Sequence, residues 1–148
     1  MRWLVCLFAA AGMTVAAAPA RKGAPVRDAN LWAGLGVTRP AIRAEDVTDR
    51  AFFMVSFTLV NDGAKTIDPE VDSSQLLVNG KELKDWAFIV GNGPKGTNYN
   101  ALPPGGCLEF GYAMGEHFKQ PGVYRVKWKG KAFESAEVVF RVLPKKAG

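Results

Sequence analysis

The chain offers one histidine and two cysteines for chemistry. His117 follows Glu116, and the pair could supply the proton acceptor that general base catalysis places beside a nucleophile or a metal. No Gly-x-Ser-x-Gly motif and no second histidine accompany it, and a zinc site usually needs three or four nitrogen or sulfur ligands. The pattern favours a noncatalytic loop histidine. We therefore predict that the chain is not an enzyme and uses no metal or other cofactor.

Acidic residues are the second group with possible chemistry. Asp62, Asp68, Glu70 and Asp72 could converge on calcium, which binds several hard oxygen ligands. Their spacing lacks the alternating Asp frame and glycine of a calcium loop, so a solvated polar loop is favoured, and calcium binding by Asp68, Glu70 and Asp72 stays open. The glycine-rich run 91–96 lacks the Gly-Lys-Ser/Thr ending of a phosphate loop.

Residues 1–20 have the pattern of a secretory signal peptide. Arg2 is followed by an apolar run and then by small residues, with cleavage expected after Ala20 and with Ala18 as the alternative. The run is too short to predict a membrane span, so we expect a periplasmic or extracellular protein. Cleavage leaves Cys107 as the one cysteine, which excludes an internal disulfide. We interpret Cys107 as a small buried hydrophobe, and an intermolecular disulfide stays open.

The basic excess is mild, with a formal net charge of +5 in 148 residues. Its densest patch alternates along one strand and so shares one sheet face: Arg125, Lys127, Lys129 and Lys131. That face could meet an anionic polymer or membrane headgroups, although a solvated outer face that discourages sheet stacking is favoured. Glu134 and Glu137 would partly neutralise it. Nucleic acid is therefore not an expected partner.

The elements that must position these residues are predicted to be strands. Alternation of apolar residues marks Ala51–Val60, Cys107–Tyr112, Tyr124–Trp128 and Ala136–Val142, and Leu31–Ile42 is an irregular first strand near an edge. Asn79-Gly80 predicts a hairpin turn with positive φ at both residues. Asp85–Val90 is interpreted as a short strand or a helical turn. No segment has a helical period, so we predict an all-β, antiparallel sandwich of about seven strands over 31–143, with a flexible N-terminal arm (21–30) and a basic tail (144–148).

Three segments carry a resemblance to a known family. Phe57-Thr58-Leu59-Val60-Asn61, Leu102-x-Pro104-Gly105 and Pro121-Gly122-x-Tyr124-x-Val126 resemble the strand signature of bacterial secreted immunoglobulin-like domains, among them the family that includes the bacterial intracellular proteinase inhibitor. The resemblance covers roughly 51–142 and implies an immunoglobulin-like antiparallel β-sandwich.

In such a fold Tyr124 would be a tyrosine corner. Its hydroxyl would bond back to backbone near the Leu102–Gly105 turn or the loop before it. Trp128, Phe110 and Phe57 would be structural residues of the core. The run 91–100 matches no inhibitory motif that we can name.

The run 91–100 is the longest glycine-rich loop of low apolarity and the place where function is expected. Aromatic residues beside flexible glycine and asparagine suit adaptable contacts, which gives these candidate binding residues: Trp86, Asn92, Lys95, Asn98, Tyr99 and Asn100. The alternative is that Trp86 and Tyr99 simply close the end of the sandwich. The predicted function is a secreted noncatalytic β-sandwich module that binds or braces an unknown protein or cell-envelope polymer at the cell exterior. The alternative is an extracytoplasmic protease inhibitor that acts through an extended loop.

Overall fold

Two β-sheets dominate the computed structural model, which describes residues 30–148. The predicted signal peptide (1–20) and residues 21–29 of the predicted arm lie outside the described residues. The strands are β1 (Leu31–Val37), β2 (Ala41–Arg43), β3 (Val55–Asn61), β4 (Gln75–Val78), β5 (Lys81–Glu82), β6 (Cys107–Tyr112), β7 (Gly122–Lys129) and β8 (Val138–Leu143). One α-helix, α1 (Trp86–Asn92), and two 3-10 helices, Val71–Ser73 and Gly115–Phe118, complete the described elements.

The first sheet has the order β1-β3-β6 and is antiparallel throughout. Its central strand alternates strictly between buried and half-buried side chains, because strand side chains point in turn to the two faces of a sheet. Val55, Phe57 and Leu59 are fully buried, and Phe53, just before the strand, is buried with them. The alternation predicted for Ala51–Val60 is confirmed over Val55–Asn61.

The second sheet has the order β2-β8-β7-β4-β5, and β2 runs parallel to β8. The expectation of a purely antiparallel arrangement is therefore wrong at this edge. The predicted first strand, Leu31–Ile42, is two strands in different sheets. Thr38 bonds to Met54 beside the first sheet (3.1 Å), whereas the carbonyl of Pro40 accepts the backbone N–H of Arg141 in the second (2.9 Å). The described residues thus contain eight strands, two of them only two and three residues long.

The predicted hairpin at Asn79-Gly80 is confirmed. β4 and β5 pair antiparallel across these two residues, which have φ values of 50° and 78°. Asn79 also binds the neighbouring strand, because its Oδ1 accepts the backbone N–H of Arg125 at 2.9 Å. The turn therefore fixes both the hairpin and its register against β7.

Aromatic rings fill the space between the sheets. Phe57 from the first sheet lies 5.2 Å from Trp128 of the second and 5.0 Å from Trp86 of α1, measured between ring centroids. A second group joins Phe53 to Phe140 at 5.1 Å. Offset and edge-to-face pairs of this kind add to the stability that burial provides. These rings join the two sheets through one aromatic core.

The segment Asp85–Val90 was interpreted as a short strand or a helical turn, and the second interpretation is confirmed: a helix runs from Trp86 to Asn92. Trp86 and Val90 are buried with spacing i, i+4, while Ala87 and Phe88 are exposed, so the helix has one buried stripe. Among the described residues, no helix is long and apolar enough to cross a membrane.

Candidate functional site

Helix α1 presents one large apolar side chain to solvent. Phe88 is 73% exposed, the highest value among the exposed large hydrophobic residues. A helix turns about 100° per residue, so Phe88 lies on the side of α1 opposite Trp86, two residues earlier, which is 1% exposed. Gly91 and Asn92, one turn further on, are exposed as well, and Asn92 donates its amide N–H to the Phe88 carbonyl at 2.8 Å. The result is an exposed ring with small and polar neighbours, which we call the Phe88 surface.

A buried hydroxyl fixes the helix that carries Phe88. Ser74 Oγ accepts hydrogen bonds from the indole N–H of Trp86 and of Trp128, each at 3.0 Å, and donates to the carbonyl of Val71 at 2.6 Å. Both indoles are buried, and buried donors must be paired to avoid the cost of desolvation. Ser74 therefore ties the start of α1 to strand β7.

The segment after α1 is fixed by a carboxylate. Asp72 accepts hydrogen bonds from Lys95 Nζ at 2.8 and 3.0 Å and from the Tyr99 hydroxyl at 2.7 Å. Lys95 Nζ also lies 5.0 Å from the centroid of the Tyr99 ring, within range of a cation–π contact. The part of the run 91–100 that follows the helix is therefore held in place at Lys95 and at Tyr99.

These contacts shift two pKa values in opposite directions. The hydrogen bond from Lys95 is the main cause that lowers the pKa of Asp72, and the bond from Tyr99 adds to it. Burial is the main cause that raises the pKa of Tyr99, and the hydrogen bond to Asp72 adds to it. Tyr99 is thus a neutral donor to an ionised Asp72 near pH 7. The pair braces the loop.

The structure divides the predicted binding residues into two groups. Trp86 and Tyr99 are 1% and 2% exposed, so the expectation that they are exposed loop aromatics is corrected: both rings are part of the core. Asn92, Lys95 and Asn100 are exposed and Asn98 is half-buried. Only the polar members of the predicted set lie on the surface. The run 91–100 begins within helix α1, and its later part is held by Asp72.

The acidic residues considered for calcium do not share a site. Asp72 pairs with Lys95, and Glu70 pairs with Lys131 at 2.6 Å. Asp68 accepts the backbone N–H of Glu70 at 2.9 Å, closing a local turn. Within residues 30–148, no group of three or more His, Cys, Asp and Glu side chains is arranged to hold a metal ion.

His117 and Cys107 lie in separate parts of the fold. His117 is half-buried in the 3-10 helix Gly115–Phe118, where Glu116 pairs with Lys119. Cys107 begins β6 opposite Val60 and is half-buried, so it is less buried than the small buried hydrophobe that we expected. Strand β6 begins at Cys107 beside a turn, so this side chain lies at the margin of the sheet.

A cleft of about 560 Å³ lies where the turn after β2 meets the segment before β7. Its lining residues are Ala44, Glu45, Thr48, Glu116, Lys119, Gln120, Pro121 and Lys145. Glu45 accepts the backbone N–H of Lys146 at 3.1 Å, and backbone hydrogen bonds are the main cause that lowers its pKa. The lining charges are engaged with one another and with backbone, and the lining provides neither a cysteine nor a histidine.

The predicted structural residues lie in the core or pack against it. Phe57 and Trp128 are fully buried, and half-buried Phe110 stacks on Phe57 at 5.1 Å. Tyr124 is half-buried, and its hydroxyl donates to the carbonyl of Gln120 at 2.7 Å. The acceptor thus lies in the loop that precedes β7 and not in the Leu102–Gly105 turn.

Phe88 and Ser74 were missed in the sequence. When 85–90 is interpreted as a strand, Trp86 and Phe88 point to the same face, and Phe88 becomes a core residue. The spacing of Trp86 and Val90 was the available signal, because i, i+4 places two residues on one helix face. Ser74 had no local signal, since its partners lie 12 and 54 residues away.

Comparison of the chain with protein-family models, with curated proteins and with solved structures finds no match.

Proposed function

We propose that the chain is an exported, noncatalytic immunoglobulin-like module that binds a protein partner at the cell exterior through the Phe88 surface. The order β1-β3-β6 against β2-β8-β7-β4-β5 supports the immunoglobulin-like part. It corresponds to strands A, B and E facing G, F, C and C′, with the short β2 added beside the last strand. The bond from Tyr124 to Gln120 at the start of β7 also fits a tyrosine corner.

The observation that carries the binding proposal is the 73% exposure of Phe88 on a helix that is itself anchored. Burying a phenylalanine side chain is worth about 1.5–3 kcal/mol, so leaving Phe88 in water forgoes that stabilisation. Trp86 and Val90 on the same helix are buried, and Ser74 and Asp72 fix the helix and the following loop. A rigid support reduces the entropy that binding must remove. Aromatic residues of this kind are enriched where protein interfaces form.

Site-specific photo-crosslinking tests this proposal. A benzophenone amino acid replaces Phe88 in one variant and Phe52, which is 39% exposed, in the matched control. After irradiation in the intact cell envelope, we expect one discrete adduct from position 88 and none from position 52. Excess unmodified chain should compete for that adduct, whereas a Phe88→Ala competitor should be at least tenfold weaker, because ~1.4 kcal/mol is lost with the ring.

Thermal unfolding of Phe88→Ala controls for damage to the fold, and we expect an unchanged midpoint because the side chain is exposed. Equal adducts from positions 88 and 52, or equal competition by Phe88→Ala and the unaltered chain, would overturn the proposal. Export has its own measurement: the N-terminal sequence of the protein recovered from the cell exterior should begin at Arg21.

A further inference from the structure

The outward face of the five-stranded sheet alternates arginine with aliphatic side chains. In three cross-strand pairs an arginine lies opposite an aliphatic residue: Arg43 with Leu143, Arg141 with Val123, and Arg125 with Val139. Val123, Val139 and Leu143 are 47%, 44% and 37% exposed, and they make up three of the five exposed large hydrophobic residues of the described chain. We call these six residues the arginine-aliphatic face.

Positive charge on this face is only partly neutralised. Arg125 pairs with Glu137 at 3.0 Å and Lys127 pairs with Glu134. Within residues 30–148, neither Arg141 nor Lys129 forms an ion pair, although both are exposed on the same side of the sheet. Lys145 and Lys146 follow Leu143 after Pro144 and are exposed as well. This side of the sheet therefore presents an excess of positive charge.

We propose that the arginine-aliphatic face adsorbs to the surface of a membrane that contains anionic phospholipids. Guanidinium groups bind phosphate oxygens in a bidentate geometry. Each Lys or Arg held near an anionic bilayer adds to the attraction, and exposed aliphatic side chains gain from the boundary between headgroups and acyl chains.

The aliphatic half of the pattern is what distinguishes a lipid surface from a soluble anionic polymer. A polyanion would be attracted by arginine and lysine alone and would give Val123, Val139 and Leu143 no apolar contact. A sheet face that contacts only water would also not need these three aliphatic residues, because polar residues at the same positions would avoid exposed apolar area. This face is separate from the Phe88 surface, and the proposal stands whether or not that surface binds a protein.

Cosedimentation with vesicles tests the proposal. The exported protein is mixed with vesicles of phosphatidylglycerol and phosphatidylcholine at low ionic strength, and with vesicles of phosphatidylcholine alone. We expect binding only to the first kind, and loss of most of it at 0.5 M salt, because screening weakens charge attraction. In a double variant, Arg141→Gln and Lys129→Gln, binding should weaken on the order of 25-fold, which is about fivefold for each charge.

The matched control is the double variant Arg50→Gln and Lys65→Gln, which removes the same charges from exposed loop positions without ion pairs among the described residues. It should bind as the unaltered protein does. A further variant, Val123→Thr and Val139→Thr, keeps shape and charge and should also weaken vesicle binding. All variants have the same residues before Asn30, so differences in vesicle binding between them arise from the substituted positions.

Three results would overturn the proposal. One is the absence of binding to anionic vesicles. The second is equal weakening in the sheet and loop variants, which would indicate nonspecific attraction by net charge. The third is vesicle binding that the Val→Thr changes leave intact, because charge alone would then account for the attraction. Thermal midpoints of all variants confirm that they are folded.

Discussion

A single buried hydroxyl joins the two tryptophans that matter most for the position of the Phe88 surface. Ser74 Oγ accepts both indole N–H groups, and one indole belongs to α1 and the other to β7. A serine oxygen has two lone pairs and one proton, and here all three are used, because the proton goes to the carbonyl of Val71. The Ser74 hydroxyl thus has no spare hydrogen-bonding capacity. No other described side chain accepts the two indole N–H groups.

We predict that Ser74→Ala lowers the free energy of unfolding by about 2–4 kcal/mol, because it leaves two buried indole donors without an acceptor. The measurement is urea denaturation followed by tryptophan fluorescence. Ser73→Ala is the control, since Ser73 is exposed beside it, and surface changes usually stay within about 0.5 kcal/mol. Equal effects of the two substitutions would show that the shared acceptor contributes nothing.

At the scale of elements, two glycines in short helices differ in the space around them. A Cβ on Gly115, in the 3-10 helix before β7, would collide with the backbone of Val47 and Thr48, whereas a Cβ on Gly91 in α1 would meet nothing within 4 Å. Gly115 is buried and Gly91 is exposed. The first glycine allows two backbone segments to touch, and the second serves no packing role.

We therefore expect opposite signs from the same substitution at these two positions. Gly115→Ala should destabilise the protein by about 3 kcal/mol, because backbone cannot move aside as a flexible side chain can. Gly91→Ala should stabilise it by about 0.5–1 kcal/mol, the usual cost of glycine in a helix. Chemical denaturation of both variants provides the measurement. A destabilising Gly91→Ala would mean that α1 is not helical at its end.

Sequence patterns predicted the elements in which an apolar pattern repeats over several residues. They failed for elements whose structure depends on one or two residues. Val55, Phe57 and Leu59 alternate long enough to define β3, and Asn79-Gly80 specifies its turn by backbone conformation alone. Helix α1 has only seven residues, so a single i, i+4 pair is all the periodicity it can show. Tyr99 looked like a loop aromatic because its partner Asp72 lies 27 residues earlier. Long-range contacts of this kind leave no local pattern.

At the scale of the whole molecule, all three tyrosines of the chain respond to pH in the same direction. Burial is the main cause that raises the pKa of Tyr99, Tyr112 and Tyr124 above the ordinary value of 10.0. The Tyr112 hydroxyl is buried without a hydrogen-bond partner among the described residues, so nothing there compensates an ionised oxygen. The folded protein therefore holds these protons more tightly than the unfolded chain does.

A group whose pKa is raised on folding stabilises the fold below its unfolded pKa, and that contribution is lost as the pH rises above it. We predict that stability declines above about pH 10, the usual tyrosine value, and that tyrosinate absorbance at 295 nm appears together with loss of the circular dichroism signal. Ionisation of all three residues near pH 10 with an unchanged circular dichroism spectrum would contradict the prediction.

The parallel pairing of β2 with β8 has a consequence for how the chain acquires its shape during synthesis. Ala41 pairs with Arg141, so β2 has its partner only after the long segment between them has been made. Closing so large a loop is costly before its contacts form, and folds rich in distant pairings acquire their structure in milliseconds to seconds. We expect strand β2 to stay unpaired until residues 138–143 have emerged from the ribosome.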